Sequence, residues 1–121
     1  MDTRKTILVY QYAERIKSEL IIASGLVAKM LTLRGDERKG AEKMMHSYLE
    51  ALAHEIKIAQ NTEKSVNFVG AEKKVMEASG RLRLSEYSEM NRCISEALSF
   101  IPTSCQAAME ALAQEQLRQD H

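Results

Sequence analysis

The stretch that decides the fold is residues 3–34, TRKTILVYQYAERIKSELIIASGLVAKMLTLR, which holds no proline and a single glycine. Its apolar residues recur at alternating steps of three and four, and residues with this spacing lie on one face of an α-helix. At 1.5 Å per residue, such a helix would be about 45 Å long. In a chain of 121 residues, this length predicts an elongated helical bundle. The predicted inward face consists of Val9, Tyr12, Ile16, Ala23, Leu26, Met30 and Leu33.

The polar segment 35–40 separates the first helix from a second one. Gly35 can adopt the left-handed conformation that ends many helices, so we expect the first helix to end near Arg34. A second amphipathic helix is predicted from residue 36 or 40 to residue 60. Asn61-Thr62 then provides a stop and a restart, with Thr62 as the N-cap of a third helix.

The third segment begins near residue 63 and allows two interpretations. It forms either one long bent helix to Ile101 or two helices separated near Gly80, because glycine weakens a helix. Pro102 is expected to end this segment, since proline cannot donate the helical hydrogen bond. The following residues, Thr103-Ser104-Cys105-Gln106, resemble a capping box and predict a last helix to about residue 118.

The short connections predict that consecutive helices run antiparallel. We therefore expect one all-α domain over residues 1–121. Its architecture should be an elongated up-down-up-down four-helix bundle with a long N-terminal helix.

Composition excludes several classes of partner. Seventeen basic residues balance seventeen acidic ones, which argues against nucleic acid or an anionic membrane surface as the partner. The longest apolar run, residues 20–28, is too short to cross a bilayer. We expect a cytoplasmic protein, with Cys93 and Cys105 unpaired because they would lie at different heights on neighbouring helices.

The first helix carries more apolar surface near its middle than one inward face requires. The residues that widen the face at this level are Leu20, Ile21, Ile22 and Val27. A helix that is apolar around most of its circumference is usually buried on several sides. Either it is central in the monomer or it packs against another chain. We predict a non-enzymatic protein that binds a protein partner or itself through these four residues, and we favour a homodimer over a monomer.

Glu19 is a candidate buried carboxylate. The heptad through Val9, Ile16 and Ala23 allows it an inward position. However, Leu20 is the better occupant of that position, since glutamate is rarely fully buried. We expect Glu19 at the flank of the helix, where it is solvated or paired.

An alternative function rests on His54. On a helical wheel, this residue points away from the apolar face of the second helix, so we expect it to be exposed. The surrounding residues, Ala53-His54-Glu55-Ile56-Lys57, resemble the phosphoacceptor box of histidine kinase dimerisation domains and are similar to the core of histidine phosphotransfer domains. The resemblance implies a four-helix bundle in which His54 carries a phosphoryl group and Lys57 neutralises its charge.

Metal and cofactor chemistry has little support in the sequence. His46, Glu50 and His54 are spaced four residues apart and share one helix surface, but the only other histidine is His121. The Glu-x-x-His motif of di-iron bundles is missing, as is any Cys-x-x-Cys pair. We predict no metal, no cofactor and no catalytic residues, because no multi-residue catalytic motif occurs.

Overall fold

The computed structural model describes residues 3–119, without the side chains of residues 102–109, and every regular element in this part of the chain is an α-helix. The predicted all-α fold is therefore confirmed. The N-terminal helix has 28 residues, but the last helix is longer, with 33. The helices of the described residues are α1 (Thr3–Met30), α2 (Gly35–Ala59), α3 (Val66–Arg83) and α4 (Tyr87–Gln119).

The inward face of α1 follows a regular heptad. Its buried residues are Thr6, Val9, Ala13, Ile16, Leu20, Ala23, Val27 and Met30. Four of the seven predicted inward residues belong to this set. Of the other three, Tyr12 and Leu26 lie at the edges of the face, where they are partly or largely exposed, and Leu33 lies beyond the end of α1. At every second position, the buried residue is therefore the one that follows the predicted residue: Ala13 instead of Tyr12, and Val27 instead of Leu26.

Helix α1 ends at Met30, four residues earlier than predicted. The side chain of Arg38 binds backbone carbonyls of the turn that follows this end. Its Nε donates to the carbonyl of Leu33 at 2.9 Å, and its Nη2 donates to the carbonyl of Leu31 at 2.8 Å. Basic side chains are favoured at helix C-termini because they satisfy the last carbonyls and the helix dipole. The same guanidinium lies over the Tyr87 ring, 5.5 Å from its centroid, and so ties this turn to α4.

Helix α2 has nearly the predicted limits. Gly35 is its first residue and has a φ of 57°, the left-handed conformation expected for this glycine. Asp36 and Glu37 then occupy the first turn, where negative charge complements the helix dipole.

Helix α3 begins three residues later than predicted, because the chain makes a further turn after α2. In this turn the backbone N–H of Thr62 donates to the carbonyl of Ala59 at 3.1 Å. Thr62 lies four residues before the start of α3, so it is not the N-cap. Ser65 is the N-cap, and its hydroxyl accepts a hydrogen bond from the backbone N–H of Phe68 at 3.0 Å.

The third segment is split, but the break lies at residues 84–86 rather than near Gly80. Ser85 has a φ of 58°, a conformation that ordinarily favours glycine. Its N–H donates to the carbonyl of Leu82 at 3.0 Å, and the N–H of Glu86 donates to the carbonyl of Arg81 at 2.9 Å. These two bonds define a Schellman motif. An ion pair at 3.1 Å between Arg81 and Glu86 closes the same turn.

The prediction that Pro102 ends a helix is wrong, because α4 continues through this residue. Proline removes one backbone donor from a helix but need not end it when favourable sequence continues on both sides. Ile101 is fully buried immediately before the proline, and residues 107–113 are rich in alanine. The segment Thr103–Gln106 therefore lies inside α4, although its predicted side-chain cap falls outside the described residues.

The described helices pack so that α1 contacts α2 and α4, and α3 contacts the same two helices. Neighbouring helices run antiparallel: Glu50 of α2 pairs with Arg83 at the end of α3, whereas Gln60 after α2 bonds to Glu72 near the start of α3. The contacts between α1 and α2, and those between α3 and α4, also join residues in opposite chain order, so these pairs are antiparallel too. All four helices contribute fully buried side chains to one core, among them Leu20, Leu49, Phe68 and Ile94.

Candidate functional site

Two of the four residues predicted to bind a partner lie on the surface of the chain. Ile21 and Ile22 are each 53% exposed. Leu20 and Val27 are 0% and 2% exposed, because they occupy the inward heptad positions of α1. These two residues stabilise the core and offer no surface to another chain, so the predicted interaction surface is reduced to Ile21 and Ile22 with their exposed neighbours.

Those neighbours complete a surface that we call the α1 patch. All of its residues are exposed, and none is charged. The patch consists of Ile21, Ile22, Ser24, Gly25, Leu26 and Ala28. Exposed apolar residues scattered singly are common, whereas a large contiguous apolar patch is typical of interaction surfaces.

A shallow depression between α1 and α2 continues the α1 patch. It has a volume of about 240 Å³, and Leu26 belongs to both surfaces. Met44 stands at the depression with 73% of its surface exposed. Methionine adapts its shape to a partner more readily than other apolar residues. The lining residues are Leu26, Lys29, Met30, Leu33, Ala41, Met44, Met45 and Tyr48.

Glu19 lies beside the α1 patch and is half-buried, as expected for a residue at the flank of the helix. Its carboxyl group hydrogen-bonds to that of Glu55 on α2. Arg15 forms an ion pair with Glu55 at 3.0 Å, and the Tyr48 hydroxyl donates to the backbone carbonyl of Glu19 at 2.8 Å. These four residues join α1 to α2.

The environment of Glu19 favours its protonated form. Burial is the main cause, followed by the hydrogen bond to Glu55 and the negative charge of that residue. Together they raise the pKa of Glu19 from 4.5 to about 7, against the opposing effect of Arg15. Two adjacent carboxyl groups that share a proton avoid the repulsion between two carboxylates.

His54 is exposed, as predicted, and lines a groove of about 380 Å³ between α2 and α3. Lys57 lines the same groove, so the two residues of the alternative phosphoacceptor site share one surface. Small or apolar residues, including Ala53, Met76 and Gly80, alternate there with charged ones. The full lining is Leu49, Glu50, Ala53, His54, Lys57, Glu72, Met76, Ser79, Gly80 and Arg83.

At one end of this groove, His46 connects the two helices. Its Nδ1 lies 2.8 Å from the hydroxyl oxygen of Ser79, and its Nε2 lies 2.9 Å from Oε1 of Glu50. Arg83 brings a guanidinium nitrogen within 2.9 Å of the same Nε2 and within 3.5 Å of the Glu50 carboxylate. The four side chains form a polar cluster between α2 and α3.

Sequence reasoning missed half of this cluster. The spacing of His46 and Glu50 indicated that they share a helix surface. Ser79 and Arg83 gave no comparable signal, because their partners lie 33 and 37 residues away in sequence. The four-residue spacing of Ser79 and Arg83 was the one available sign that they face the same way.

The remaining predictions concern metal binding, the two cysteines and membrane-spanning segments. In the described part of the chain, no group of three or more His, Cys, Asp or Glu side chains is placed to hold a metal ion. Cys93 is buried and free, and burial is the main cause that raises the pKa of its thiol. The side chain of Cys105 lies outside the described residues. Among the described helices, none has an apolar stretch long enough to span a membrane.

Comparisons of the chain with protein-family models, curated proteins and solved structures found no match. The resemblance of residues 53–57 to a phosphoacceptor box therefore rests on these five residues alone.

Proposed function

We propose that this chain is an elongated up-down-up-down four-helix bundle that acts by protein interaction, with a second copy of itself as the partner. The α1 patch carries the proposal. Its two largest residues, Ile21 and Ile22, are each 53% exposed. Covering an exposed side chain of this size is worth roughly 1 kcal/mol or more, at about 25 cal/mol per Å² of apolar surface.

The six residues of the patch carry no charge, which favours a second copy over a charged partner. A two-fold axis near Gly25 would bring two identical patches together, as in an isologous dimer. The exposed Lys29 stands one turn after Gly25 and would extend its ammonium group from the rim of this contact into water. At Gly25, apart from its chain neighbours and the nearby backbone of α1, no heavy atom lies within 4 Å of the place where a Cβ would stand. A helix from another molecule could therefore approach this point closely.

The size of a stable interface indicates how far the contact would extend. Specific interfaces cover about 800 Å² on each partner, which is more than six residues of one helix provide. The depression beside Leu26 supplies additional apolar surface, including Met44. We therefore place the interface over the α1 patch and the adjoining edge of α2.

Sedimentation equilibrium of the wild type and of Ile21→Glu and Ile22→Glu tests this proposal. We expect the wild type to have twice the chain mass and each variant to dimerise at least tenfold more weakly, because a glutamate would be desolvated in the interface. Val66→Glu is the matched control, since Val66 is 83% exposed on α3. A wild type that stays monomeric at its highest soluble concentration, or a dimer unaffected by both variants, contradicts the proposal.

A second candidate function is phosphotransfer through His54, favoured by the position of His54 and Lys57 on one groove that also presents small apolar residues. A partner protein could pack against Ala53 and Gly80 while His54 receives a phosphoryl group. Incubation with a phosphodonor kinase should then produce acid-labile phosphate on the wild type and on His46→Gln but not on His54→Gln. Failure of several donors to label the wild type would rule this function out.

A further inference from the structure

The groove between α2 and α3 is open because small residues face each other across it. The polar contacts at its two ends set the antiparallel alignment of the helices. This alignment places Ala53 of α2 opposite the turn of α3 from Met76 to Gly80. Apart from its chain neighbours and the nearby backbone of α3, no heavy atom lies within 4 Å of the place where a Cβ of Gly80 would stand. The missing side-chain volume leaves a groove of about 380 Å³, which is large enough for a small molecule.

The middle of the groove is lined by apolar side chains. Leu49 is fully buried, Ala53 is half-buried, and Met76 has 58% of its surface exposed. The thioether of methionine adjusts its shape to the molecule that it contacts. An unbranched alkyl chain is therefore the kind of group that this part of the groove would cover.

One end of the groove presents two polar groups that no other side chain uses. His54 and Lys57 are three residues apart on α2, so they share one helix surface, and both line the groove. Within the part of the chain that the structure describes, neither side chain forms a hydrogen bond or an ion pair. The Lys57 ammonium and an N–H of the His54 ring can both donate to one acceptor. A carboxylate is an acceptor that also complements the positive charge of Lys57.

The opposite end of the groove leaves no room for a second anionic group. Arg83 is already engaged there, since it donates to His46 Nε2 at 2.9 Å and lies 3.5 Å from the Glu50 carboxylate. Glu50 and Glu72 both line the groove, and their negative charges disfavour a ligand that carries more than one. Positions 50 and 57 are seven residues apart, so the groove extends about 10 Å along α2. The ligand that fits has one carboxylate and an alkyl chain of about this length.

We propose that the groove binds a medium-chain fatty acid. The carboxylate accepts hydrogen bonds from Lys57 and His54, and the alkyl chain lies over Ala53 and Gly80 against the Met76 side chain. None of these residues belongs to the α1 patch, and binding involves no phosphoryl donor. The proposal therefore goes beyond both functions considered above and can fail or hold independently of self-association.

Titration of the full chain with sodium octanoate, followed by the NMR signals of the backbone amides, tests the proposal. We expect saturable shifts at Ala53 and Gly80 with a dissociation constant below about 1 mM. Butyrate should bind at least tenfold more weakly, since each buried methylene contributes up to about fourfold in affinity. Octylammonium has the same alkyl chain with the opposite charge and should also bind at least tenfold more weakly.

Two variants test the carboxylate end and the alkyl end separately. Lys57→Met keeps an unbranched side chain but removes its charge, and it should bind octanoate at least fivefold more weakly. Lys43→Met, at an exposed lysine of α2 outside the groove, is the matched control and should bind like the wild type. Gly80→Leu should fill the groove and abolish binding while it keeps the helical circular dichroism spectrum, because leucine favours a helix more than glycine.

The following results would overturn the proposal. The wild type shows no saturable shifts with octanoate, or the shifts lie away from Ala53 and Gly80. Butyrate or octylammonium binds as tightly as octanoate. Lys57→Met binds octanoate like Lys43→Met, or a folded Gly80→Leu binds it like the wild type.

Discussion

Replacing Glu19 by glutamine should change how the stability of the protein depends on pH. Glu19 shares a hydrogen bond with Glu55 between α1 and α2, and its pKa is raised from 4.5 to about 7, chiefly by burial. The folded state therefore holds a proton that the unfolded state releases at a lower pH. This stabilisation is fully present below pH 4.5 and is lost as the pH rises toward 7.

The size of the effect follows from the shift. One pKa unit corresponds to about 1.4 kcal/mol, so a fully realised shift to about 7 would be worth about 3 kcal/mol. Glu19 is only half-buried, and water screens part of the interaction. We therefore expect a loss of about 1 to 2 kcal/mol in the free energy of unfolding between pH 5 and pH 8.

Glutamine keeps a hydrogen-bond donor for Glu55 and removes the titration. Glu19→Gln should resemble the wild type at pH 5 and be about 1 to 2 kcal/mol more stable at pH 8, because two carboxylates no longer repel each other. Urea unfolding followed by circular dichroism, at one fixed protein concentration, measures the difference at each pH. Glu110→Gln, at an exposed position on α4, controls for the general loss of one negative charge.

The comparison between variants isolates this carboxyl pair, since the other titrating groups are common to both proteins. A difference between Glu19→Gln and the wild type that stays constant from pH 5 to pH 8 would refute the reasoning. So would a Glu19→Gln protein that is less stable than the wild type at pH 8.

Three further predictions concern the ends of helices and are measured by urea unfolding. Ser85→Gly should stabilise the protein by about 1 kcal/mol, because Ser85 has a φ of 58°; a loss of stability would contradict this. Ser65→Ala should destabilise it by about 1 kcal/mol, because the N–H of Phe68 loses its acceptor, whereas Ser65→Asp should be nearly neutral. Gly35→Ala should destabilise by about 1 kcal/mol at a φ of 57°, whereas Gly40→Ala, inside α2 with open space, should stabilise by about 0.5 to 1 kcal/mol; equal effects would refute the distinction.

The periodicity of α1 predicted its inward face only in part, for a definable reason. Two heptads fit residues 9, 16, 23 and 30: the intervening inward residue lies either three or four positions after each of them. The first choice includes Glu19 and the second includes Leu20. In the structure, the second is correct, since Leu20 is fully buried. The preference for Leu20 over Glu19 was available from the sequence, but applying it along the whole helix required knowing where α2 and α4 lie.

The candidate sites differ in how far they could be predicted. The exposure of His54 followed from the face of one helix, whereas the excess apolar surface at Ile21 left open whether the monomer or another chain covers it. The contact of His46 with Ser79 depends on how α2 and α3 are aligned along their axes. The sequence placed the start of α3 three residues too early, which corresponds to an axial error of about 4.5 Å. An error of this size is larger than a hydrogen bond, so no spacing rule could have identified this pair.

Ser85 and Pro102 explain why the ends of helices were the least predictable part of the fold. An interior proline costs about 3 kcal/mol relative to alanine, and a non-glycine residue in the left-handed conformation costs about 1 to 2 kcal/mol. On these local costs, the chain should break at Pro102 and not at Ser85. The opposite result occurs because the Schellman bonds and the ion pair of Arg81 with Glu86 stabilise the earlier break. At Pro102, one missing hydrogen bond is offset by a helix that packs against α1 and α3. The contacts around a residue, more than its own propensity, decide whether a helix ends there.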